Sequence, residues 1–186
     1  MAVRIIGGKF KGRKLRSVRG TRTRPTSDRT REAIFNIMAF QVQDVRVLDL
    51  FAGTGALGIE ALSRGAQSAV FIDISNPSVS ILRENLAGLS VESSTRVIRW
   101  DLAANLNCLL SMPQAFDLVF MDPPYNKNLI KPALEHLHTS QSLNSGARVI
   151  VEHSQREPVE PNALLFEIVD HRKYGKTLVS FLKYMV

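Results

Sequence analysis

The sequence predicts an α/β fold: a seven-stranded, mostly parallel sheet with a C-terminal antiparallel hairpin, preceded by a small N-terminal basic β-hairpin plus helix. Three observations support this prediction. From about residue 45, apolar runs typical of buried strands alternate with amphipathic segments. A glycine-rich turn directly follows the first of these runs, and the first 32 residues are strongly basic. Because parallel strands need crossover helices, we expect helices on both faces of the sheet.

The apolar runs predict seven strands in the main part of the chain. Five precede residue 153, at 45–50, 69–73, 95–100, 117–121 and 147–152. The intervening amphipathic segments predict helices at 56–64, 76–87, 102–110 and 128–138. Two further strands, at 164–170 and 177–183, meet at Tyr174-Gly175 with no helical pattern between them, so they form the closing antiparallel hairpin.

The N-terminal segment has a pattern of its own. Short apolar-basic alternations surround three glycines between residues 4 and 15, which predicts a small hairpin. Ser27 or Asp28 can cap a helix whose apolar positions recur at helical spacing. We therefore divide the chain into an N-terminal extension, residues 1–40, and one main α/β domain, residues 41–186.

The net charge of +7 is concentrated in the extension. Residues 1–32 contain eleven Lys/Arg and two acidic side chains, whereas the remaining 154 residues contain thirteen basic and fifteen acidic ones. Such clustering is the footprint expected for binding a phosphate backbone. A solvated basic arm would also explain the charge, although such an arm would not need the glycines.

The composition also limits the class of protein. No apolar run of about 18 residues and no charged-then-apolar leader occurs, so we expect a cytoplasmic protein without a membrane partner. The single cysteine, Cys108, cannot form an internal disulfide. No His/Cys cluster has metal-ligand spacing, and we expect no metal.

The glycine-rich turn indicates a nucleotide-like ligand. The predicted strand 45–50 runs into Phe51-Ala52-Gly53-Thr54-Gly55, which opens a helix. Glycines let the backbone approach a ligand closely, and a helix N-terminus offers free N–H groups. The same spacing occurs in dinucleotide-dependent oxidoreductases, so the turn alone does not define the chemistry.

Three aspartates end three predicted strands. Asp49 lies in the first strand, where a buried carboxylate needs a partner such as a cationic or amine-bearing ligand. Asp73 follows the glycines by about twenty residues, the spacing of an acid that binds ribose hydroxyls. Asp101 could reach an adenine amino group. Each of the three could instead simply cap the helix that follows it.

The segment Asp122-Pro123-Pro124-Tyr125 follows the fourth strand and is the most specific motif. Two prolines fix the backbone and leave carbonyls outward, so Asp122 and the Pro123 carbonyl can accept both hydrogens of an exocyclic NH₂. Tyr125 can stack on a base. An ordinary turn is the alternative, but its position beside the glycine turn, at the carboxyl edge of the sheet, favours a binding pocket for a nucleobase amine.

Over nearly its whole length the chain resembles the bacterial 16S rRNA guanine-N2 methyltransferase family called RsmD. The resemblance rests on residues 4–13 (RIIGGKFKGR), 24–29 (RPTSDR), 31–36 (REAIFN), 49–55 (DLFAGTG) and 122–125 (DPPY), and on Tyr174-Gly175. It implies a Rossmann-like class I methyltransferase fold, S-adenosyl-L-methionine as cofactor, and a monomer that methylates the N2 of a guanine in 16S rRNA within the small ribosomal subunit. One departure is that residues 153–163 are too proline-broken for the helix usual after the fifth strand.

The resemblance also implies residue roles. The cofactor-binding residues would be Asp49, Phe51, Gly53, Gly55, Asp73 and Asp101. The catalytic motif would be Asp122, Pro123, Pro124 and Tyr125. The RNA-binding residues would be Arg4, Lys9, Lys11, Arg13, Lys14 and Arg24.

Other classes of protein share parts of this pattern. A DNA adenine-N6 methyltransferase would use the same tetrapeptide, but such enzymes commonly carry a larger recognition region. A nicotinamide-dependent oxidoreductase would leave Asp122–Tyr125 and the basic end unexplained. A non-catalytic RNA-binding ribosome-assembly module remains an alternative, because a fold by itself does not imply activity.

Overall fold

The computed structural model describes residues 3–17, 27–112 and 115–186. The strands are β1 Val3–Arg4, β2 Lys14–Leu15, β3 Arg46–Leu50, β4 Ser68–Asp73, β5 Thr95–Arg99, β6 Phe116–Met121, β7 Leu143–Ser154, β8 Phe166–Tyr174 and β9 Thr177–Tyr184. The α-helices are α1 Asp28–Met38, α2 Ala56–Ser63, α3 Asn76–Leu89 and α4 Ile130–Thr139.

The main sheet has the strand order β5-β4-β3-β6-β7-β9-β8. Strands β3 to β7 pair in parallel, and β9 runs antiparallel between β7 and β8. The predicted seven-stranded sheet and closing hairpin are therefore confirmed. The chain moves outward from β3 in one direction through β4 and β5, and in the other through β6 and β7. In such sheets ligands bind outside the carboxyl ends of the strands where the order reverses, here β3 and β6.

Apolar side chains alternate between the two faces of the sheet, so each face has its own core. On one face, Phe71, Phe120 and Ile150 pack with α1, α2, α3 and the N-terminal hairpin. On the other face, Leu48 and Val149 pack with α4 and with the segment that follows β5. The parallel strands are thus buried on both sides, which explains their nearly continuous apolar sequences.

The prediction of an α-helix at residues 102–110 is wrong. The segment forms turns and a short 3₁₀ helix at Asn107–Leu109. Asp101 Oδ1 accepts from the backbone N–H of Ala103 at 3.0 Å, and Asn105 Oδ1 accepts from that of Asn107 at 2.9 Å. Such local bonds compete with helical ones. The helical spacing in the sequence reflects Leu102, Leu106 and Leu109, which are buried although the segment forms no α-helix.

The N-terminal hairpin and helix form as predicted. Strands β1 and β2 pair antiparallel, with Val3 opposite Leu15, and a 3₁₀ turn lies between them. Ser27 caps α1, since its Oγ accepts from the Thr30 N–H at 3.0 Å. Val3, Ile5 and Leu15 are buried in the core of the main sheet, so the hairpin is packed on that sheet.

The segment after β7 also follows the prediction. Residues 155–163 contain turns and extended chain but no helix, while β7 itself runs on to Ser154. Within the described part of the chain, no helix is both long and apolar enough to cross a membrane.

Candidate active site

Acidic side chains line the carboxyl edge of the sheet at one level. Leu50 of β3 pairs with Ile72 of β4 and with Met121 of β6, which pairs with Val151 of β7. The residues that follow these four lie side by side at the next position, and they are Phe51, Asp73, Asp122 and Glu152. Three of the four are acids, so this edge is suited to positive charge and to hydrogen-bond donors.

The glycine turn is closed on one side and open on the other. Gly53 and Gly55 have φ of 55° and 81°, a region that favours glycine. A Cβ on Gly53 would meet only the Phe51 carbonyl oxygen, at 3.9 Å, so a ligand can approach this backbone. A Cβ on Gly58, by contrast, would lie 2.4 Å from Phe71 Cε1, which keeps α2 close to β4. Gly55 also faces the core, against Leu82.

Asp49 lies beneath this turn and is only 2% exposed. Its Oδ2 accepts from the Gly58 N–H at 2.8 Å. Burial raises the pKa of Asp49 to about 8; the charge of Asp73 acts in the same direction, and the Gly58 N–H acts against it. A cation beside Asp49 would lower this pKa and favour the charged form of the carboxyl group.

The other two aspartates differ in role. Asp73 fixes the glycine turn, because its Oδ2 accepts from the Gly53 N–H and its Oδ1 from the Ser75 N–H, both at 2.8 Å. Each oxygen has a second lone pair with which it could accept from a hydroxyl group. Asp101 is exposed and holds the turn after β5, and no α-helix begins there for it to cap.

The Asp122–Tyr125 motif is held against strands β7 and β9. Asp122 is half-buried, Pro123 is buried, Pro124 is exposed, and Tyr125 is 40% exposed. The Tyr125 hydroxyl donates to Glu152 Oε1 at 2.8 Å and lies 3.1 Å from Thr177 Oγ1. Burial, and then the charges of Glu152 and Asp122, raise the pKa of Tyr125, whereas the Thr177 contact lowers it. The ring is therefore fixed at one edge while part of it remains accessible.

The residue after the motif anchors the same turn. The Asn126 N–H donates to Glu157 Oε2 at 2.6 Å, and Ser154 Oγ donates to Asn126 Oδ1 at 2.7 Å. Asn126 has a φ of 58°, a left-handed conformation that Asn tolerates better than most residues. The turn is thus held by bonds to Ser154 at the end of β7 and to Glu157 just beyond it.

A buried amide joins the glycine turn to the N-terminal hairpin. Asn85 of α3 accepts from the Arg16 N–H at 2.7 Å and donates from Nδ2 to the carbonyl oxygens of Arg16 and Thr54, at 3.1 and 3.0 Å. One side chain therefore links the extension, α3 and the turn. Its role had not been foreseen, because a single Asn in a helical pattern gives no signal of long-range contacts.

The basic residues of the hairpin fall into two groups. Arg4 forms an ion pair with Asp28, and Arg13 donates to the Gly88 carbonyl oxygen at 2.6 Å. Lys9, Lys11 and Lys14 are exposed, and Lys9 lies 4.7 Å above the Phe10 ring. The lysines are therefore better placed than the arginines to meet a phosphate. Arg24 lies in the segment 18–26, outside the described residues.

The sequence had not singled out Glu152 or Thr177. Glu152 is the last residue of the predicted strand 147–152, as Asp73 is of the predicted strand 69–73, although β7 itself continues to Ser154. That regular placement of acids was a detectable signal. Thr177 could not be foreseen, because its position depends on β9 inserting beside β7. Among the described residues, no group of three or more His, Cys, Asp or Glu could hold a metal ion.

This strand order, with a glycine turn after β3, an acid ending β4, an Asp-Pro-Pro-Tyr turn after β6 and an antiparallel last strand, is that of a class I methyltransferase. Known proteins agree. The family described as Conserved hypothetical protein 95 matches residues 3–183. The solved structure of yhhF from Escherichia coli covers 100% of this chain and 99% of its own, with a TM-score of 0.87 and 29% identity.

Two similar sequences have the same name, Ribosomal RNA small subunit methyltransferase D. The Haemophilus influenzae protein is 36% identical over 158 residues, which are 84% of this chain and 81% of that protein. The Escherichia coli K12 protein is 38% identical over 153 residues, 81% of this chain and 74% of that protein. The chain therefore belongs to the Conserved hypothetical protein 95 family and is a methyltransferase, in agreement with the family resemblance found in the sequence.

Proposed function

We propose that this chain transfers a methyl group from S-adenosyl-L-methionine to the N2 amine of a guanine in 16S rRNA of the small ribosomal subunit, and so acts in the cytoplasm. The observation that carries the proposal is the placement of Asp122–Tyr125 beside the glycine turn, where the strand order reverses. The names of the two relatives, which specify small-subunit ribosomal RNA, support the substrate.

The residues present fit the proposed cofactor. The backbone at Gly53 is open to a ligand, and Asp73 beside it has acceptor capacity for ribose hydroxyls. The raised pKa of Asp49 means that a cationic ligand would be favoured there, since its charge would stabilise the carboxylate. When bound, the cofactor would supply an activated methyl group on a sulfonium. Phe51, which lies between Asp73 and Asp122 in the register, would contact the same ligand.

The chain's own residues would then orient the amine. Asp122 and the Pro123 carbonyl oxygen accept its two hydrogens and direct the nitrogen lone pair toward the methyl group, while Tyr125 stacks on the base. As the nitrogen gains positive charge, the Asp122 carboxylate stabilises it. The surplus proton leaves after transfer. No nucleophilic side chain is needed, because the reaction is a direct displacement.

The basic extension supports an RNA substrate. Lys9, Lys11 and Lys14 are exposed on the hairpin, which is packed against α2 and α3 beside the glycine turn. Phosphate contacts of this kind position a nucleic acid without reading its sequence. The RNA backbone would accordingly bind to the hairpin and to Arg4, Arg13 and Arg24. The target base would bind at the carboxyl edge of the sheet.

The test is to incubate the protein with labelled S-adenosyl-L-methionine and 30S subunits from cells that lack the native enzyme, and then to identify the modified nucleoside. We expect N2-methylguanosine with wild-type protein, and at least about 100-fold less label with Asp122→Ala, since a transition-state contact to a charged group is lost. Cofactor binding by the variant, measured as thermal stabilisation with NADH as control, should persist.

Other outcomes would redirect the assignment. Methylated adenine would indicate an adenine-N6 enzyme, and cofactor binding without label would indicate another substrate or an assembly factor. Full activity of Asp122→Ala would show that the motif does not orient the amine.

A further inference from the structure

We propose that Glu152 accepts a hydrogen bond from the N1–H of the target guanine and so selects guanine over bases that lack that hydrogen. This inference rests on the proposed function, since it requires a guanine whose N2 is bound at Asp122. It assigns to strand β7 the part of base recognition that distinguishes guanine from adenine.

The first support is the position of Glu152. Met121 and Val151 are register partners in parallel strands, so Asp122 and Glu152 follow them side by side at the carboxyl edge. Register partners in a parallel pair point to the same face of the sheet. Adjacent strands lie about 4.8 Å apart, so the two carboxylates can reach neighbouring atoms of one planar base.

The second support is the contact with Tyr125. Its hydroxyl donates to Glu152 Oε1 at 2.8 Å, so the carboxylate lies at the rim of the ring on which the base would stack. Glu152 is 6% exposed, and a carboxylate buried to that extent requires hydrogen-bond donors. A carboxylate offers about four lone-pair sites, so one carboxylate can accept from the Tyr125 hydroxyl and from a base at the same time.

The third support is the chemistry of the bases. Guanine presents two adjacent donors, N1–H and the N2 amine, and two adjacent carboxylates are complementary to them. Adenine presents an amine beside an N1 lone pair, which would face the Glu152 carboxylate and be repelled. A site built around a hydrogen bond rejects analogues that lack it far better than an apolar site does.

The experiment compares two substrates that both have an N2 amine. Once the methylated guanine has been located, 30S subunits are assembled with 16S rRNA that carries 2-aminopurine at that position, where N1 is an acceptor. With wild-type protein, we expect kcat/KM to be about 10- to 100-fold lower for 2-aminopurine than for guanine, the factor for a lost bond to a charged group. Equal values would overturn the proposal without any variant.

Two variants separate base recognition from support of Tyr125. Glu152→Gln can donate to the N1 of 2-aminopurine, so the preference for guanine should fall to within about threefold. Tyr125→Phe removes the hydroxyl but keeps the carboxylate, and its preference should remain that of wild type. If Glu152 only positioned Tyr125, both variants would lower kcat and neither would change the preference, and the proposal would be overturned.

The failures of the two proposals are distinguishable. If wild-type protein does not methylate guanine N2, the proposed function fails. If it does so, and Glu152→Gln retains the full preference, only the role of Glu152 fails. Should Glu152→Gln not fold, as judged by loss of cofactor-induced thermal stabilisation, Glu152→Asp serves instead, since it withdraws the carboxylate by one methylene and should also reduce the preference.

Discussion

Four carboxylates gather at one edge of the sheet, and they do so for different physical reasons. Asp73 is satisfied by two backbone N–H groups, whereas Asp49 is buried with one. Glu152 accepts from a tyrosine, and Asp122 stands between Phe51 and Glu152 in the register. The charge of Asp73 disfavours ionisation of Asp49, and a cation bound beside them would offset this unfavourable interaction.

The stability of the free protein should depend on pH through Asp49. Its folded-state pKa is about 8, above the usual 3.8, so the folded state holds this proton more tightly than the unfolded state does. The stabilisation is fully present below about pH 4 and is lost as the pH rises through about 8. Relative to Asp49→Asn, the free energy of unfolding of wild-type protein should fall by about 1–4 kcal/mol between pH 5 and 8.5.

Denaturant unfolding at each pH, without cofactor, measures this difference. The Asn variant is the matched control because it can still accept from the Gly58 N–H but cannot ionise. The opposite result would be a free energy of unfolding of wild type that stays constant, or rises with pH, relative to that of Asp49→Asn. It would show that Asp49 is already ionised in the free protein at pH 5.

The sequence could place a residue at the site where two constraints coincided. Asp73 ends a strand at a fixed distance from the glycines, and it lies against Gly53, whereas its binding of ribose hydroxyls stays a prediction. Asp101 follows a strand without such a second constraint; it holds a local turn, and its contact with an adenine amino group stays a prediction. Asn85 was unpredictable because both its partners are far away in sequence.

The hairpin and α2 form a single packed unit. Glu60 is fully buried, and its two carboxylate oxygens accept from the Ile6 and Gly7 N–H groups at 2.7 and 2.8 Å. Arg64 Nε also donates to Glu60, at 2.7 Å. Ser63 donates to the Gly7 carbonyl oxygen. Because α2 begins at the glycine turn, the extension is connected to that turn through α2.

A substitution at Gly8 should release the hairpin. A Cβ there would lie 1.8 Å from the Ser63 carbonyl oxygen, and φ is +74°. Gly12 is the matched control, since its φ is +84° but nothing lies within 4 Å of a Cβ. Gly12→Ala should cost about 1 kcal/mol of stability, from backbone strain alone. Gly8→Ala should cost at least about twice as much and should accelerate tryptic cleavage at Lys9 and Lys11. Similar cleavage rates for the two variants would contradict this docking.

The exposed lysines should set the salt dependence of RNA binding. Replacing Lys11 and Lys14 with Gln removes two charges that could contact phosphates, without touching the Arg13 bond to Gly88. The slope of log affinity against log salt should then decrease in magnitude by about 1 to 2. Binding of 16S rRNA at several salt concentrations measures this slope.

The control for this experiment removes two exposed lysines elsewhere, Lys131 on α4 and Lys173 on β8. These changes alter the net charge equally but should leave the slope nearly unchanged. If both double variants shift the slope by the same amount, the effect is one of total charge, and the hairpin is not the RNA-binding surface.

Strands and helices could be predicted where the spacing of their apolar residues corresponds to the faces that they bury. Strands β3, β4 and β6 are buried on both faces, and their continuous apolar runs were read correctly. The segment 102–110 was misread because turns can also bury leucines three or four residues apart. Periodicity reports which side chains are buried, and side-chain-to-backbone bonds then decide the local conformation.

At the scale of the whole molecule, charge is divided between two surfaces. The first 32 residues of the sequence contain eleven basic and two acidic side chains, while the carboxyl edge of the sheet carries a row of acids. A nucleic acid has a negatively charged backbone, which basic side chains attract, and bases with hydrogen-bond donors, which carboxylates can accept from. The sequence predicted this separation of charge and the order of the elements. It could not predict how the hairpin is joined to the main sheet. Glu60 and Asn85 make this connection through hydrogen bonds to Ile6 and Arg16, which lie more than 50 residues away in the sequence.

The position of β9 has a consequence for how the protein is made. Both neighbours of this strand, β7 and β8, precede it along the chain, yet β9 lies between them. Its residue Thr177 places Oγ1 at 3.1 Å from the Tyr125 hydroxyl. On a translating ribosome, the native pairing of β7 with β9 therefore cannot form until β9 has emerged. The contact of Thr177 with Tyr125 forms only after that step.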